Sequence, residues 1–217
     1  MSHLLDKALT TPDAFSSELG IPTHQDGGEF MRISRYILVA SDMFTKQVGF
    51  DVHYVEDKTS QVGQPRGRNK LIIRDHGPLQ KIHEIKYKDK VINPDHYVIS
   101  NPELGWVRNT KRTSWKSTQI MQSGIRTYKH ELEPLYQVTY DAGWVTPHQA
   151  NEDETLERDL PHDIEQAVLE LSSYLYQRAG SDTTVQSKST GDWSVSYGDR
   201  DLPVFFEMVT DKYKRMI

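Results

Sequence analysis

Apolar residues recur at three- and four-residue steps in two C-terminal segments, a spacing that predicts two packed helices. The first is predicted over residues 161–178, with Pro161 at its first position. Its stripe consists of Ile164, Ala167, Val168, Leu171, Tyr174 and Leu175. The second follows Leu202-Pro203 towards residue 216, and one predicted face carries Phe205, Met208, Val209, Tyr213 and Met216. We expect these two helices to be the scaffold on which the chain packs.

Two more helices are predicted near the N-terminus. Thr11 is a candidate N-cap followed by Pro12, and Gly20 ends this first helix. The next helix is predicted over residues 28–47, because its apolar residues keep the helical period until Gly49.

The segment between the two helix pairs has β-branched and alternating runs bounded by turn residues, which predict strands. Strands are predicted at residues 51–56, 70–74, 82–88, 91–92, 97–99, 106–107 and 135–140. Residues 61–69 are predicted as a hairpin tip, Asp89-Lys90 as a turn, 109–133 as a long polar excursion and 191–197 as a late strand. The predicted fold class is α+β, a small helical bundle of about four helices with a β-rich insertion between the N-terminal and C-terminal helices.

Charge follows the same division of the chain. Residues 1–49 are predicted to supply N-terminal helices, 50–145 a β-rich insertion with a basic surface, and 146–217 the helices that complete the bundle and a terminal arm. Residues 58–129 contain 15 Lys/Arg and 5 Asp/Glu, although the net charge of the chain is −5. This asymmetry indicates complementary surfaces or a polyanionic partner, or else solvated strands with lysine-rich edges.

The amino-acid composition excludes several classes of protein. The 217 residues are 36% hydrophobic, which is enough for a core, and the absence of cysteine excludes disulfides and thiolate metal sites. The sequence shows no secretory signal and no apolar run long enough for a membrane span, so we expect a soluble protein without membrane contact.

The motifs of catalysis are missing from the sequence. The nine histidines include no pair at the His-Glu-x-x-His spacing, and none is predicted to lie beside clustered carboxylates. There is no Gly-x-Ser-x-Gly elbow, cysteine nucleophile or phosphate-binding loop. The sequence therefore predicts a structural or binding protein without catalytic residues, metal or cofactor.

Basic residues of the β-rich insertion allow a second interpretation. They are Arg66, Arg68, Lys70, Arg74, Lys86, Lys88, Lys90, Arg108, Lys111, Arg112 and Lys116. Tyr87, Trp106 and Trp115 lie among them, and a basic face with aromatic residues is typical of single-strand or backbone binding. A nucleic-acid-binding module is therefore an alternative function.

Several short motifs carry a family resemblance through their order along the chain. They are Ala8–Phe15, Ala40-Ser41, a strand–Pro78–strand unit, Tyr97 after Pro94-Asp95, Val138–Gly143, Pro147, Leu160-Pro161, Tyr176–Arg178, Val185, Ser187, Gly191–Tyr197, Leu202-Pro203 and Lys212–Arg215. This order resembles the head–tail connector (adaptor) proteins of long-tailed double-stranded DNA phages and gene transfer agents, most strongly from residue 135 onward. Residues 109–133 depart from the pattern.

The resemblance implies a virion protein, made in the host cytoplasm, that forms a homo-oligomeric ring of about twelve copies at the phage neck. Such a ring binds the portal protein, extends the DNA channel used in genome packaging and ejection, contacts packaged DNA transiently, and carries the stopper or tail-completion protein. A stopper or tail-completion protein is the alternative within the same particle.

Three sets of site residues follow as hypotheses. The C-terminal arm suggested for portal binding comprises Lys212, Tyr213, Lys214, Arg215, Met216 and Ile217. The basic residues assigned to subunit–subunit contacts are Arg66, Arg68, Lys70, Arg74, Lys86 and Lys88, facing acidic helices of the next copy. The residues assigned to the channel wall are Glu152, Asp153, Glu154 and Glu157, whose charge would keep DNA from adhering.

Overall fold

The computed structural model describes residues 5–21, 27–62, 70–111, 115, 120–122, 125–127, 136–179, 187–190, 193–196 and 202–214. The chain divides into two compact units. One combines Met1–Gly49 with Val145–Ile217 and is called the helical unit; the other is Phe50–Trp144 and is called the β unit.

The described part of the helical unit contains five helices and one hairpin. The helices are α1 (Pro12–Leu19), α2 (Gly28–Val48), α3 (Pro147–Glu152), α4 (His162–Ala179) and α5 (Val204–Tyr213). The hairpin pairs β10 (Ser187–Thr190) with β11 (Trp193–Ser196), where the sequence predicted a single strand. The predicted α+β class, with helices before and after a β-rich region, is confirmed.

Local capping explains where the helices begin and end. The Ala14 N–H donates to Thr11 Oγ1 (3.2 Å) at the start of α1, and Gly20 closes it with φ +62°. Gly49 ends α2 in the same left-handed conformation, with φ +85°. These predicted boundaries are therefore confirmed.

Helix α3 is a correction to the prediction of about four helices, which included none between residues 140 and 161. Thr146 and Gln149 form a reciprocal capping box around the start of α3. The Gln149 N–H donates to Thr146 Oγ1 (3.2 Å), and the Thr146 N–H donates to Gln149 Oε1 (3.1 Å). The six-residue helix is too short to show an apolar stripe.

The core of the helical unit joins α1, α2 and α4. It contains Leu5, Ala8, Phe15, Ile33, Ile37 and Leu169. The Tyr176 ring of α4 packs edge-to-face on Phe15 (centroids 5.5 Å apart) and on Tyr36 (5.9 Å), and its hydroxyl donates to Glu29. Helix α5 is anchored separately, by the edge-to-face pair of Phe206 and Phe44 (6.0 Å).

The described part of the β unit contains two larger antiparallel sheets and a small hairpin. The four-stranded sheet has the order β1 (Val55–Val62), β9 (Tyr136–Ala142), β3 (Leu79–Tyr87), β4 (Lys90–Val91). The three-stranded sheet has the order β2 (Lys70–Ile72), β6 (Trp106–Asn109), β5 (Tyr97–Asn101), and β7 (Ile120–Gln122) pairs with β8 (Ile125–Thr127). Both sheets contribute to one core that includes Leu71, Ile85, Val107, Val138 and Tyr140.

Three predictions about this unit were wrong. The first two predicted strands do not form a hairpin: β1 pairs with β9 and β2 with β6. The turn between β3 and β4 is Lys88-Asp89, one residue earlier than predicted, and both residues have the positive φ (+47° and +63°) of a tight hairpin turn. The 109–133 segment contains the β7–β8 hairpin and a core residue, Trp115, rather than only a polar excursion.

Candidate assembly surface

Helix α5 has apolar side chains on two sides. Phe206 and Val209 are buried, whereas Val204, Phe205 and Met208 are 71%, 36% and 66% exposed. The three exposed side chains are called the α5 patch, and Met208 lies four residues after Val204 and three after Phe205, the spacings that make helix side chains neighbours. A helix that is apolar all round is usually covered on every side.

The predicted face of α5 therefore needs correction. Phe205 and Met208 were assigned to one face with Val209, but the buried residues are Phe206, Val209 and Thr210. Because apolar residues occupy 204, 205, 206, 208 and 209, the sequence period does not select a single buried side. Val204, the most exposed member of the α5 patch, was not among the predicted site residues.

The C-terminal end of α5 is fixed to the start of α4 through Asp163. Lys212 Nζ donates to Asp163 Oδ2 (2.6 Å), and the Tyr213 hydroxyl donates to Asp163 Oδ1 (2.9 Å). Burial raises the pKa of the Asp163 carboxyl, but the bonds from Lys212 and Tyr213 outweigh burial, and the net pKa is lowered. Burial and the bond to Asp163 raise the pKa of Tyr213, and the Asp163 bond raises the pKa of Lys212.

These contacts show that part of the predicted portal-binding arm is already bound within the helical unit. Lys212 and Tyr213 bind Asp163 within the helical unit, while Lys214 is exposed. The prediction that the helix continues past residue 213 is wrong, since α5 ends at Tyr213 and Lys214 has extended backbone angles (φ −60°, ψ 122°). Arg215, Met216 and Ile217 lie outside the described residues.

The acidic residues assigned to the channel wall are all exposed and lie at or just after the end of α3. Glu152 is the last residue of α3, and Asp153 is its C-cap. Asp153 Oδ1 accepts hydrogen bonds from the Thr155 hydroxyl (2.7 Å) and N–H (2.9 Å), which lower the pKa of Asp153. Glu154 and Glu157 complete an exposed acidic loop.

The basic residues assigned to subunit contacts are distributed over both larger sheets. Lys70 belongs to β2, and its Nζ lies 3.4 Å from the centre of the Trp106 ring. Arg74 is exposed beyond β2, Lys86 of β3 forms an ion pair with Glu84, and Lys88 occupies the β3–β4 turn. Arg66 and Arg68 lie outside the described residues.

Two of the three aromatic residues on which the nucleic-acid-binding alternative depends pack against Tyr136. Trp115 is only 3% exposed and packs edge-to-face on Tyr136, with centroids 5.5 Å apart. Tyr87 also packs on Tyr136, at 5.0 Å. Since base stacking needs an accessible ring, Trp115 is a core residue rather than a stacking platform.

The prediction that no histidine lies beside clustered carboxylates is wrong for His83. Its Nε2 lies 2.7 Å from Asp141 Oδ1 and 3.4 Å from Asp57 Oδ1. The three residues come from three different strands, and a ligand atom of each lies within 4.8 Å of the others. No local sequence pattern predicts this cluster, because Asp57 and His83 are 84 and 58 residues from Asp141.

Comparison with known proteins identifies the fold. No protein-family model and no curated protein matches the chain. Among solved structures, a chain from the neck of an empty gene transfer agent particle, computed with C6 symmetry, matches with a TM-score of 0.58 and 12% identity, over 97% of this chain and 92% of that one. A chain from the virion of a native gene transfer agent particle matches with a TM-score of 0.53 and 12% identity, over 97% and 91%. This likeness shows a shared fold.

Among the described helices, none is long and apolar enough to cross a bilayer.

Proposed function

We propose that this protein is a structural component of the neck of a phage-like particle. It forms a head–tail connector ring that binds below the portal, extends the DNA channel and carries the stopper or tail. The observation that supports this role is the fold likeness, over 97% of the chain, to a neck chain of a gene transfer agent particle. Such a role is mechanical and requires no catalytic residue.

The α5 patch is the proposed contact with the portal. Val204, Phe205 and Met208 offer apolar area on a helix whose opposite side is fixed by Phe206 and whose end is fixed by Asp163. A rigid apolar anchor costs little conformational entropy on binding. The basic end from Lys212 to Ile217 follows the patch directly and extends the same contact.

The test is binding to the portal protein encoded with this chain. We expect full-length protein and portal to co-elute as a large particle, with rings visible by electron microscopy. The double substitution Val204→Ser with Met208→Ser should reduce portal binding at least tenfold, since both side chains are exposed. Val98→Ser is the matched control, because Val98 is also exposed (44%) but lies on β5. Full binding by the α5 variant would exclude the patch, whereas a chain that never binds portal and never forms rings would exclude the connector role.

The same particle map separates the two neck functions. A connector contacts the portal directly, whereas a stopper or tail-completion protein contacts the portal only through another ring. A density map of the assembled neck with this chain one layer away from the portal would therefore favour the stopper.

The ring itself is proposed to close through unlike surfaces, as cyclic assemblies do. The basic residues Lys70, Arg74, Lys86 and Lys88, with Arg66 and Arg68, would bind acidic helices of the next copy. Contacts between exposed charges are screened by salt. Ring formation should therefore fall sharply between about 0.05 and 1 M ionic strength, and unchanged ring formation would contradict this interface.

The exposed acidic loop is proposed to line the channel. Glu152, Asp153, Glu154 and Glu157 would repel the DNA phosphates during passage. Lysine at these four positions should slow DNA release from particles while rings still assemble. Release at the normal rate from such particles would rule out a channel-wall position.

A further inference from the structure

The cluster formed by Asp57, His83 and Asp141 is built by two irregularities in the four-stranded sheet. Strand β9 lies between β1 and β3, and its register shifts near Asp141, once on the β1 side and twice on the β3 side. Asp57 falls within the shift between Val55 and Lys58, and His83 falls within the shift between Ile82 and Glu84. Bulges of this kind re-aim side chains. Each of these two bulges brings an ionisable side chain, Asp57 or His83, close to Asp141 on the central strand β9.

Charge in this cluster is unbalanced. Asp141 is 7% exposed, and its Oδ1 accepts hydrogen bonds from the Asp57 N–H (2.9 Å) and from His83. Within the described residues, the ion pairs of both carboxylates are with His83 alone. Two carboxylates and one imidazole carry a net negative charge whether or not the imidazole is protonated. A cation at their centre would neutralise that charge, which is costly to leave uncompensated near a buried carboxylate.

We propose that Asp57, His83 and Asp141 bind a divalent transition-metal cation, with Zn²⁺ as the best-matched ion. Zn²⁺ takes imidazole nitrogen and carboxylate oxygen at about 2.0–2.1 Å, and tetrahedral ligand atoms then lie roughly 3.3 Å apart. The observed separations of 2.7 and 3.4 Å from His83 Nε2 lie on either side of that value. Three protein ligands leave one position for water.

The donor set decides between classes of metal. Mg²⁺ and Ca²⁺ prefer sites made of oxygen ligands, whereas an imidazole ligand favours Zn²⁺, Ni²⁺ or Cu²⁺. The bound ion would connect β1, β3 and β9 at their irregular point. It would therefore stabilise the β unit, and this role is independent of portal binding.

Calorimetric titration of the full-length chain with ZnCl₂, CaCl₂ and MgCl₂, in a buffer that does not bind metals, tests the site. We expect one Zn²⁺ per chain, bound at least tenfold more tightly than Ca²⁺ or Mg²⁺, and a higher thermal midpoint with Zn²⁺. Asp57→Asn should weaken Zn²⁺ binding at least tenfold. The Asp57 side chain is 72% exposed and its φ is +49°, a conformation that Asn adopts readily, so this variant should keep the fold.

Asp89→Asn is the matched control, because Asp89 is also exposed and has a positive φ (+63°) in the β3–β4 turn. It should retain the wild-type affinity for Zn²⁺. His83→Gln, checked for folding by circular dichroism, should lose binding as Asp57→Asn does. Absence of Zn²⁺ binding up to millimolar concentration, or equal binding by the Asp57 and Asp89 variants, would overturn the proposal.

Discussion

The helical unit and the β unit place their apolar residues differently. Among the described residues of the β unit, the exposed large apolar side chains are Val91 and Val98, which lie on edge strands of the two sheets. The helical unit exposes Met31 and Val39 on α2 and the whole α5 patch on α5. Contiguous exposed apolar area is typical of an interaction surface, whereas isolated residues are normal. This difference supports the proposed docking through α5 of the helical unit, whereas the β unit encloses its apolar core.

Gly143→Ala should cause the largest loss of stability, because it tests how closely the backbone packs around Gly143 in the β unit. A Cβ at Gly143 would lie 2.1 Å from the His53 carbonyl oxygen, and the residue has φ +96°. Steric overlap and left-handed strain together predict a loss of about 4 kcal/mol in unfolding free energy. Chemical denaturation measures that loss.

Gly49→Ala is the control for this prediction. Gly49 has a similar φ (+85°), but apart from its immediate chain neighbours no atom lies within 4 Å of the position that a Cβ would take. Gly49→Ala should lower the free energy of unfolding by only about 1 kcal/mol, which is the effect of the left-handed backbone conformation alone. Equal losses in the two variants would mean that the close contact in the β unit contributes nothing.

Phe206→Ala should have the next largest effect, because it separates the two sides of α5. Phe206 is fully buried against Phe44, so its truncation should cost about 3 kcal/mol. Phe205→Ala, one residue away on the exposed side, should change the free energy of unfolding by less than about 0.5 kcal/mol. A similar loss in both variants would show that the α5 patch is packed rather than available.

The sequence predicted the helices better than the strand pairs, for a physical reason. Capping by Thr11 and termination by Gly20 and Gly49 depend on neighbours a few residues away. Pairing in the β unit is non-local: Ser60 contacts Tyr140, 80 residues away. Nothing in the sequence of β1 or β2 selects β9 or β6 as its partner, and bulges such as those at Asp57 and His83 leave no periodic signal.

The same distinction applies to the candidate site. The sequence identified α5 and its basic end, because both are local patterns. It missed the Asp163 contacts with Lys212 and Tyr213, since these residues are 49 and 50 positions apart. It also chose the wrong buried side of α5, because Phe205 and Phe206 are adjacent and equally apolar. Only packing on Phe44 distinguishes them.

The smallest predicted effect concerns the anchor at the end of α5 and has a defined pH dependence. Asp163→Asn removes the charge that binds Lys212, and the unfolding free energy at neutral pH should fall by about 1 kcal/mol. The folded-state pKa of Asp163 is lowered from its ordinary value of 3.8. Its contribution is therefore complete above that value and is lost as the pH falls through the lower folded-state pKa.

Thermal unfolding of the wild type and Asp163→Asn between pH 7 and pH 2 measures this dependence. The difference in stability should be constant at neutral pH and shrink below about pH 3.8. Asp211→Asn is the control, because Asp211 is exposed on α5, next to Lys212, and forms no ion pair within the described residues. If the Asp163 variant also loses portal affinity, the fixed position of α5 contributes to docking. If stability falls while portal affinity is unchanged, the α5 patch binds the portal without that anchor. Docking through the helical unit would then depend only on its exposed apolar side chains.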